Sequence, residues 1–370
     1  MLRPRLLSRP ALIGVIVVAL LLFVLGAVRL LPLVDGDKVP DGVPLAIFAE
    51  FGDLADKIYS APANDPSRRT LLATLDHAPG WGINPAATTR EGRAVFLLAP
   101  SNGGGRDTPA EVWTLDLETG QRTRVAADAD LLIQPVLNRD GTILYRRSNG
   151  QRQEIVRADI GNASRTAVYT EDTTFGVFPV GEDADGNLVL ARLSTAGTDI
   201  VRVRDGVAQV IVHASDHLAR GWQIAPDGKS VAYLAPEVRG DRVVYRVHVV
   251  SLPDGKARTL PETPADADQF SPLWTPGGDA LALGQDARDG PTAVTVLESD
   301  RARTLAAPAR GFDVPLSWGN GGDYLAVRSF DGDSAANPGN ETTVVIGPDG
   351  QRYSVAATGE VIFIGWVIHD

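Results

Sequence analysis

Oxygen-bearing side chains crowd one short segment, EDADGN, which contains Glu182, Asp183, Asp185 and Asn187. Carboxylate and amide oxygens at alternate positions open the calcium loop of an EF-hand. The bidentate glutamate that closes such a loop is missing at the expected distance, and Asp-Gly is itself typical of a tight turn. We therefore predict no metal site and keep Asp183, Asp185 and Asn187 as a weak calcium candidate.

Two histidines, His213 and His217, are four residues apart, a spacing at which one face of a helix can hold a metal ion. Their surroundings show no helical pattern, and in a strand the two residues would lie about 13 Å apart. Ser215, Asp216 and His217 are consecutive, which argues against a catalytic triad. No Gly-x-Ser-x-Gly motif occurs either. The segment is better interpreted as a loop between repeats.

Four arginines are close together in YRRSNGQRQEIVR, namely Arg146, Arg147, Arg152 and Arg157. Together they could hold a carboxylate or a phosphate group. The same pattern is typical of the solvated face of a hairpin, which is the interpretation we prefer.

A turn followed by an alternating apolar strand recurs along the chain. Its turn glycines are Gly42, Gly92, Gly141, Gly186, Gly228, Gly278 and Gly322. The six intervals cover 280 residues, and a mean period of about 47 is typical of propeller blades. The third residue after each glycine is apolar in every copy: Leu45, Val95, Leu144, Val189, Val231, Leu281 and Leu325.

A second hairpin follows the first in most copies, at residues 111–125, 154–168, 245–260 and 293–305. Two hairpins form a four-stranded blade, and blades bury their apolar faces only by stacking around an axis. The sequence therefore predicts an all-β, seven-bladed propeller, with six or eight blades as the alternatives.

The two ends of the repeat region complement each other. The first copy, at 40–48, has no strand before its turn, whereas VIFIGWVIHD at 361–370 is a strand with no turn after it. Trp366 follows Trp318 by 48 residues, in phase with the repeat. We predict that this last segment supplies the innermost strand of the first blade, beside strands near 45–51, 57–62 and 69–75.

Two segments, FSPLWTPGGDALAL (270–283) and PLSWGNGGDYLAV (315–327), resemble the TolB-type, WD-repeat-like propeller repeat. Other copies depart from that pattern. At the position that Trp274 and Trp318 occupy in these two copies, other copies have Thr88, Leu137, Glu182 and Ile224. The resemblance covers about residues 40–370 and implies a fold rather than an activity. No room remains for the additional α/β domain of TolB, so the expectation is a propeller relative and not TolB itself.

The N-terminal region predicts a membrane anchor. Residues 11–28 carry no charge and follow Arg3, Arg5 and Arg9, which favour a cytoplasmic N-terminus. We expect a cytoplasmic segment at 1–10, a single transmembrane signal-anchor helix at 11–31, a linker at 32–39 and the propeller at 40–370, in the periplasm or outside the cell. A cleaved signal peptide is the alternative.

The charge and the cysteine content of the chain exclude or disfavour several classes of partner and of chemistry. Beyond residue 30 the chain has 31 of its 35 basic residues against 46 acidic ones, which disfavours nucleic acid as a partner. The absence of cysteine excludes disulfides, thiol nucleophiles and Cys-ligated metals. No cofactor is expected.

Loops between the second and third strands of the blades are longer and more varied than the turns on the opposite face: 100–111, 235–243, 284–292 and 329–341. Binding residues are often on such loops. Candidates on this face are Arg106, Asp107, Arg147, Asn149, Arg239, Asp241, Arg288, Asp289, Asp331 and Asp333.

These observations favour a membrane-tethered, extracytoplasmic propeller without catalytic activity that binds a protein, peptide or glycan of the cell envelope. The alternative is a propeller-fold hydrolase or a lactonase-like enzyme. An enzyme of that kind needs His, Asp or Glu side chains that converge near the axis, and the five histidines are scattered along the chain.

Overall fold

Seven small antiparallel sheets make up the part of the chain described by the computed structural model. The described residues are 42–90, 92–103, 108–161, 164–264, 266–287, 290–355, 357 and 359–367, with the backbone alone at 84–90 and at 320. We number the sheets I to VII along the chain and name the strands of each sheet a to d, from the innermost outwards.

Sheets I to III have four strands each. Sheet I consists of β27 (Val361–Val367), β1 (Leu45–Glu50), β2 (Ala55–Pro62) and β3 (Thr70–Asp76). Sheet II consists of β4 (Asn84–Arg90), β5 (Arg93–Leu98), β6 (Ala110–Asp116) and β7 (Arg122–Ala129). Sheet III consists of β8 (Val136–Leu137), β9 (Ile143–Asn149), β10 (Arg152–Ala158) and β11 (Arg165–Asp172).

The remaining sheets continue the same order. Sheet IV consists of β12 (Gly176–Glu182), β13 (Leu188–Ser194), β14 (Gly197–Arg204) and β15 (Val207–Ser215). Sheet V consists of β16 (Arg220–Ile224), β17 (Ser230–Arg239) and β18 (Arg242–Ser251). Sheet VI consists of β19 (Gln269–Trp274), β20 (Leu281–Gln285), β21 (Thr295–Leu297) and β22 (Ala302–Thr304). Sheet VII consists of β23 (Phe312–Trp318), β24 (Leu325–Phe330), β25 (Glu341–Ile346) and β26 (Arg352–Ser354), with a 3-10 turn at Asn320–Gly322.

The innermost strands of successive sheets contact one another from β27 through β4 to β23, which places them around a common axis. This arrangement is the seven-bladed β-propeller that the repeat predicts. All seven turn glycines have positive φ, between 68° and 83°, a conformation that residues with a Cβ rarely adopt.

Apolar side chains fill each of the seven spaces between neighbouring sheets. The space between sheets II and III, for example, holds Val95, Val112 and Tyr145, and the space between sheets VI and VII holds Leu325 and Val344. Neighbouring sheets also exchange hydrogen bonds, such as the one from the Trp274 indole N–H to the Gln223 carbonyl at 3.0 Å. The core is therefore a ring of seven interfaces between sheets.

The C-terminal strand β27 pairs antiparallel with β1, with Ala49 opposite Ile362 and Ala46 opposite Trp366. It packs on both sides of sheet I. Ile364 belongs to the apolar cluster shared with sheet II, whereas Phe363 and Trp366 belong to the cluster shared with sheet VII. One strand thus contributes to two interfaces and joins the two ends of the ring.

Sheet V differs from the expected blade. In the described part of the chain, the predicted hairpin at 245–260 has no full fourth strand: an isolated bridge joins Val250 to Ala257, and the Arg258 N–H donates to the Val249 carbonyl at 2.8 Å. Pro261 and Pro264 follow closely, and proline cannot donate the backbone hydrogen bonds of a strand.

The predicted segments 1–10, 11–31 and 32–39 lie outside the described residues. Within the described residues, no helix is long and apolar enough to span a bilayer.

The ring closure can be tested by cross-linking. Cysteines that replace Ala49 and Ile362 should form a disulfide under mild oxidation, because these residues are paired in β1 and β27 and the chain has no other cysteine. The bond should raise the free energy of unfolding by about 2–4 kcal/mol, measured by denaturant titration with and without reductant. Cysteines at Ala49 and Val361, one residue out of register, are the control. Equal cross-linking of both pairs would contradict the β1–β27 register.

Candidate functional site

The b–c loops and the d–a connections between sheets emerge on one side of the ring, here called the b–c face, because successive strands alternate in direction. The b–c loops on this face fall into two groups by length. Sheets II, VI and VII have long b–c loops at 99–109, 286–294 and 331–340, whereas sheets III, IV and V have two-residue turns at 150–151, 195–196 and 240–241.

The long loops of sheets VI and VII contact each other. The backbone N–H of Ala287 donates to the carbonyl of Asp333 at 2.9 Å. Asp331 accepts hydrogen bonds from the side chain and backbone of Asn340, which lower its pKa, and it pairs with Arg310. Of the predicted binding residues, Asp333 therefore lies at the contact between the two loops, and Asp331 is held by its own loop and by Arg310. Four others, Arg106, Asp107, Arg288 and Asp289, lie outside the described residues.

The segment 235–243 is not a loop, contrary to the sequence-based interpretation. Strand β17 continues to Arg239 and β18 begins at Arg242, so only Gly240 and Asp241 form the turn. Gly240 has φ of +63°, which allows a two-residue hairpin turn. Arg239 is the last residue of β17 and pairs with Glu237.

Arg147 and Asn149 also lie in a strand, at the end of β9, and not in a loop. Arg147 pairs with Asp128 at 2.8 Å and with Glu154 at 2.6 Å. Its hydrogen bond lowers the pKa of Glu154. The nearby arginines pair likewise: Arg146 with Asp130, Arg152 with Glu154, and Arg157 with Glu182. Because each guanidinium already holds a carboxylate of the protein, this hairpin does not form a ready anion site.

Asp183 uses both carboxylate oxygens to hold the a–b turn of sheet IV. They accept the N–H groups of Asp185 and Asn187, the Asn187 side-chain amide and the Arg202 guanidinium, at 2.7–3.0 Å. Burial raises the pKa of Asp183, but the hydrogen bonds from Asn187 and Arg202 outweigh burial and lower it overall. The weak calcium candidate thus corresponds to a turn whose aspartate is occupied by donors.

His213 lies in β15, where Nδ1 is 2.8 Å from Asp199 and Nε2 is 3.0 Å from Asp216. The hydrogen bonds with Asp199 and Asp216 raise its pKa. His217 lies in the connection that follows, and its carbonyl accepts a hydrogen bond from Thr198. In the described part of the chain, no three His, Cys, Asp or Glu residues are grouped so as to hold a metal.

Exposed large apolar side chains are concentrated on the b–c face. Six of the nine in the described residues lie there, one of them, Leu54, in the loop of sheet I. The other five follow one another around sheets III to V, and we call them the apolar arc: Leu132, Phe175, Leu218, Val238 and Val243. Val238 and Val243 are paired across the β17–β18 hairpin.

Hydrogen bonds hold the connections that carry the arc. Gln153, the second residue of β10, accepts the Val177 N–H at 3.0 Å and donates to the Thr173 and Phe175 carbonyls. Thr198, the second residue of β14, accepts the Ala219 N–H and donates to the His217 carbonyl. Phe175 and Leu218 therefore project from connections that are tied to the preceding sheet.

Aspartate side chains hold two further connections, the one between sheets II and III and the one between sheets I and II. Asp130 begins the connection that carries Leu132, and it pairs with Arg146 of the next sheet at 2.5 Å. In sheet I, the fully buried Asp56 accepts the N–H groups of Gly52 and Ile83 and contacts His77 Nε2 at 3.2 Å.

Neither the arc nor these hydrogen bonds were predicted from the sequence. A usable signal exists for the second feature, because Asp56, Gln153 and Thr198 share the pattern polar-x-Ile in DKI, QEI and TDI. Leu132, Phe175 and Leu218 lie 9 to 11 residues before the turn glycines 141, 186 and 228, so their recurrence was also visible.

Comparisons with known proteins agree with the fold. The chain is similar to an oligogalacturonate lyase in complex with manganese (16% identity, TM-score 0.55, 85% of each chain). It is also similar to an oligogalacturonate lyase from Vibrio parahaemolyticus (14% identity, TM-score 0.55, covering 85% of this chain and 86% of that one). TolB from Acinetobacter baumannii aligns with TM-score 0.49 and 16% identity over 73% of this chain, which spans 64% of TolB. No protein-family model and no curated protein matches the sequence. At these identities the lyases support a β-propeller fold and no particular activity.

The role of the connection hydrogen bonds can be measured with two valine substitutions. Thr198→Val should lower the free energy of unfolding by about 1–3 kcal/mol, because it leaves the buried N–H of Ala219 without its acceptor. Thr343→Val is the matched control, since this buried hydroxyl has no partner among the described residues, and the change should be neutral or stabilising. Equal effects in urea unfolding would contradict a specific role for Thr198.

Proposed function

We propose that this chain is a non-catalytic binding protein that holds a protein partner on the apolar arc of its b–c face. The arc carries the proposal, because its five exposed apolar side chains lie on one face, on successive connections and a hairpin tip of sheets III to V, and apolar side chains grouped in this way are typical of interaction sites. Phe175 is 50% exposed and Leu218 is 56% exposed, so each retains substantial apolar surface that a partner could bury. Burial of that surface would contribute about 1 kcal/mol per side chain.

The connections that carry these side chains favour binding further. Because Gln153 and Thr198 already hold the backbone of two connections, a partner would have to order less of the chain and would lose less conformational entropy in the complex. A pre-ordered surface on a rigid ring is well suited to recognition.

The charge of the chain favours a protein over other large partners. The acidic balance beyond residue 30 disfavours nucleic acid and the anionic surface of a membrane. The arc also lies on separate connections and not on one amphipathic helix, which is the usual element for lying on a bilayer. We propose an envelope protein or peptide as the partner, with residues 11–31 tethering the propeller outside the cytoplasm.

The test uses full-length protein in its own cells, with a photo-crosslinking amino acid at one position at a time. Positions 132, 175 and 218 should yield the same discrete adduct. Positions 207 and 210 are the controls, because Val207 and Val210 are 60% and 53% exposed but lie on the outer strand β15. Mass spectrometry of the adduct then identifies the partner.

Binding of the identified partner decides the proposal. Phe175→Ser and Leu218→Ser should each raise its Kd about tenfold without lowering the melting temperature, because the side chains are exposed. Val210→Ser should leave the Kd unchanged. Equal adducts at 175 and 210, or a cytoplasmic partner, would contradict the proposal.

A further inference from the structure

A cleft of about 370 Å³ lies between sheets I and II, within the size range of small-molecule sites. It is separate from the apolar arc. Its apolar lining comes from the ends of strands β3 and β5 and from the middle of β6, namely Leu75, Leu98 and Trp113. Its polar lining includes Asp76 at the end of β3 and Asn102 in the long loop of sheet II.

The cleft is closed at the end away from the b–c face. Arg122, at the start of β7, donates to the Thr74 carbonyl of β3 at 2.7 Å. Beside it, the turn at Gly120 touches β3 so closely that a Cβ there would lie 2.7 Å from the Leu72 carbonyl oxygen. Pro100, Ser101 and Asn102 lie at the opposite end, so the cleft opens towards the b–c face.

Trp113 is held in a fixed orientation. Its indole N–H donates to Glu111 Oε2 at 3.0 Å, and Glu111 in turn pairs with Arg124 at 2.7 Å. Because the indole N–H is already used, the ring can offer the cleft only its apolar surface, and the Arg122 guanidinium lies over the ring at 6.0 Å from its centroid. The Trp113 side chain is half-buried, so part of that surface is accessible.

Several polar side chains around the Trp113 indole ring can form hydrogen bonds with a ligand. Among the described residues, the side chains of Asp76, Ser101 and Asn102 make no hydrogen bonds, and all three are exposed. The charges nearly balance, because Arg122 and Asp76 both line the cleft while Glu111 is paired with Arg124. The lining therefore combines an aromatic ring, hydrogen-bonding groups and almost no net charge.

We propose that this cleft binds a neutral saccharide. A pyranose ring has a C–H face that can stack on an aromatic side chain, and its hydroxyls both donate and accept hydrogen bonds. Asp76 and Asn102 supply complementary groups at the cleft entrance. Because Arg122 offsets Asp76 and Arg124 offsets Glu111, the cleft has no excess charge that would favour an ion, and a wholly apolar ligand would desolvate Asp76 without compensation. The site shares no residue with the arc and is independent of the proposed protein partner.

The test measures binding of neutral oligosaccharides of glucose, galactose, mannose and N-acetylglucosamine to the full-length protein. The detergent must have no sugar headgroup, and saturation-transfer NMR with a fluorescence titration provides the Kd. At least one oligosaccharide should bind. Trp113→Ala should raise its Kd about tenfold or more, Trp113→Phe about threefold, and Asp76→Asn about threefold to tenfold.

A second cleft, between sheets V and VI, provides the matched control. It measures about 230 Å³ and is lined by Glu262 and Thr263 but by no aromatic ring. Glu262→Gln should leave the Kd unchanged, and so should Phe175→Ser in the arc. If Trp113→Ala folds poorly, Asp76→Asn still tests the proposal, because it changes an exposed side chain and should not affect folding. Binding by none of the oligosaccharides, or an unchanged Kd in both Trp113→Phe and Asp76→Asn, would overturn the proposal.

Discussion

The pairing of β27 with β1 is the interaction on which the rest of the ring depends. Each sheet buries its faces only against two neighbours, so a ring that is open at one point exposes apolar surface on both sides of the gap. Here Ile364 faces sheet II while Phe363 and Trp366 face sheet VII. Removal of this strand would therefore weaken two interfaces and leave the inner edge of β1 unpaired.

A closed ring restricts where function can reside. The a–b turns are built alike, around glycines with nearly the same φ, and Asp183 shows how polar groups at such a turn serve the turn itself. The b–c face varies from sheet to sheet instead. Sheets II, VI and VII have long b–c loops, whereas sheets III to V have two-residue turns, and the connections beside these turns carry the exposed Phe175 and Leu218.

Regular features of the propeller were predictable because they depend on local sequence. Asp-Gly turns require positive φ, and Trp366 follows Trp318 at the repeat spacing, so the blade count and the last strand could be inferred. The candidate site was less predictable because it depends on contacts between distant residues. Arg147 resembles a free cation in the sequence, yet Asp128 and Glu154 bind it. Likewise, Gly240 and Asp241 suggest a loop, although Val238 and Val243 extend the hairpin almost to its tip.

The exposure of the apolar arc could not be predicted either. Leu132, Phe175 and Leu218 are ordinary apolar residues in the sequence, and only the fold places the connections that carry them at the surface.

Hydrogen–deuterium exchange of the full-length protein, free and bound to its identified partner, tests most directly whether the apolar arc is the recognition surface. Protection is expected in the connections 130–135, 173–175 and 216–219 and at the hairpin tip 239–242. Protection confined to the long loop 331–340 or to the a–b turns, with those connections unchanged, would contradict the account.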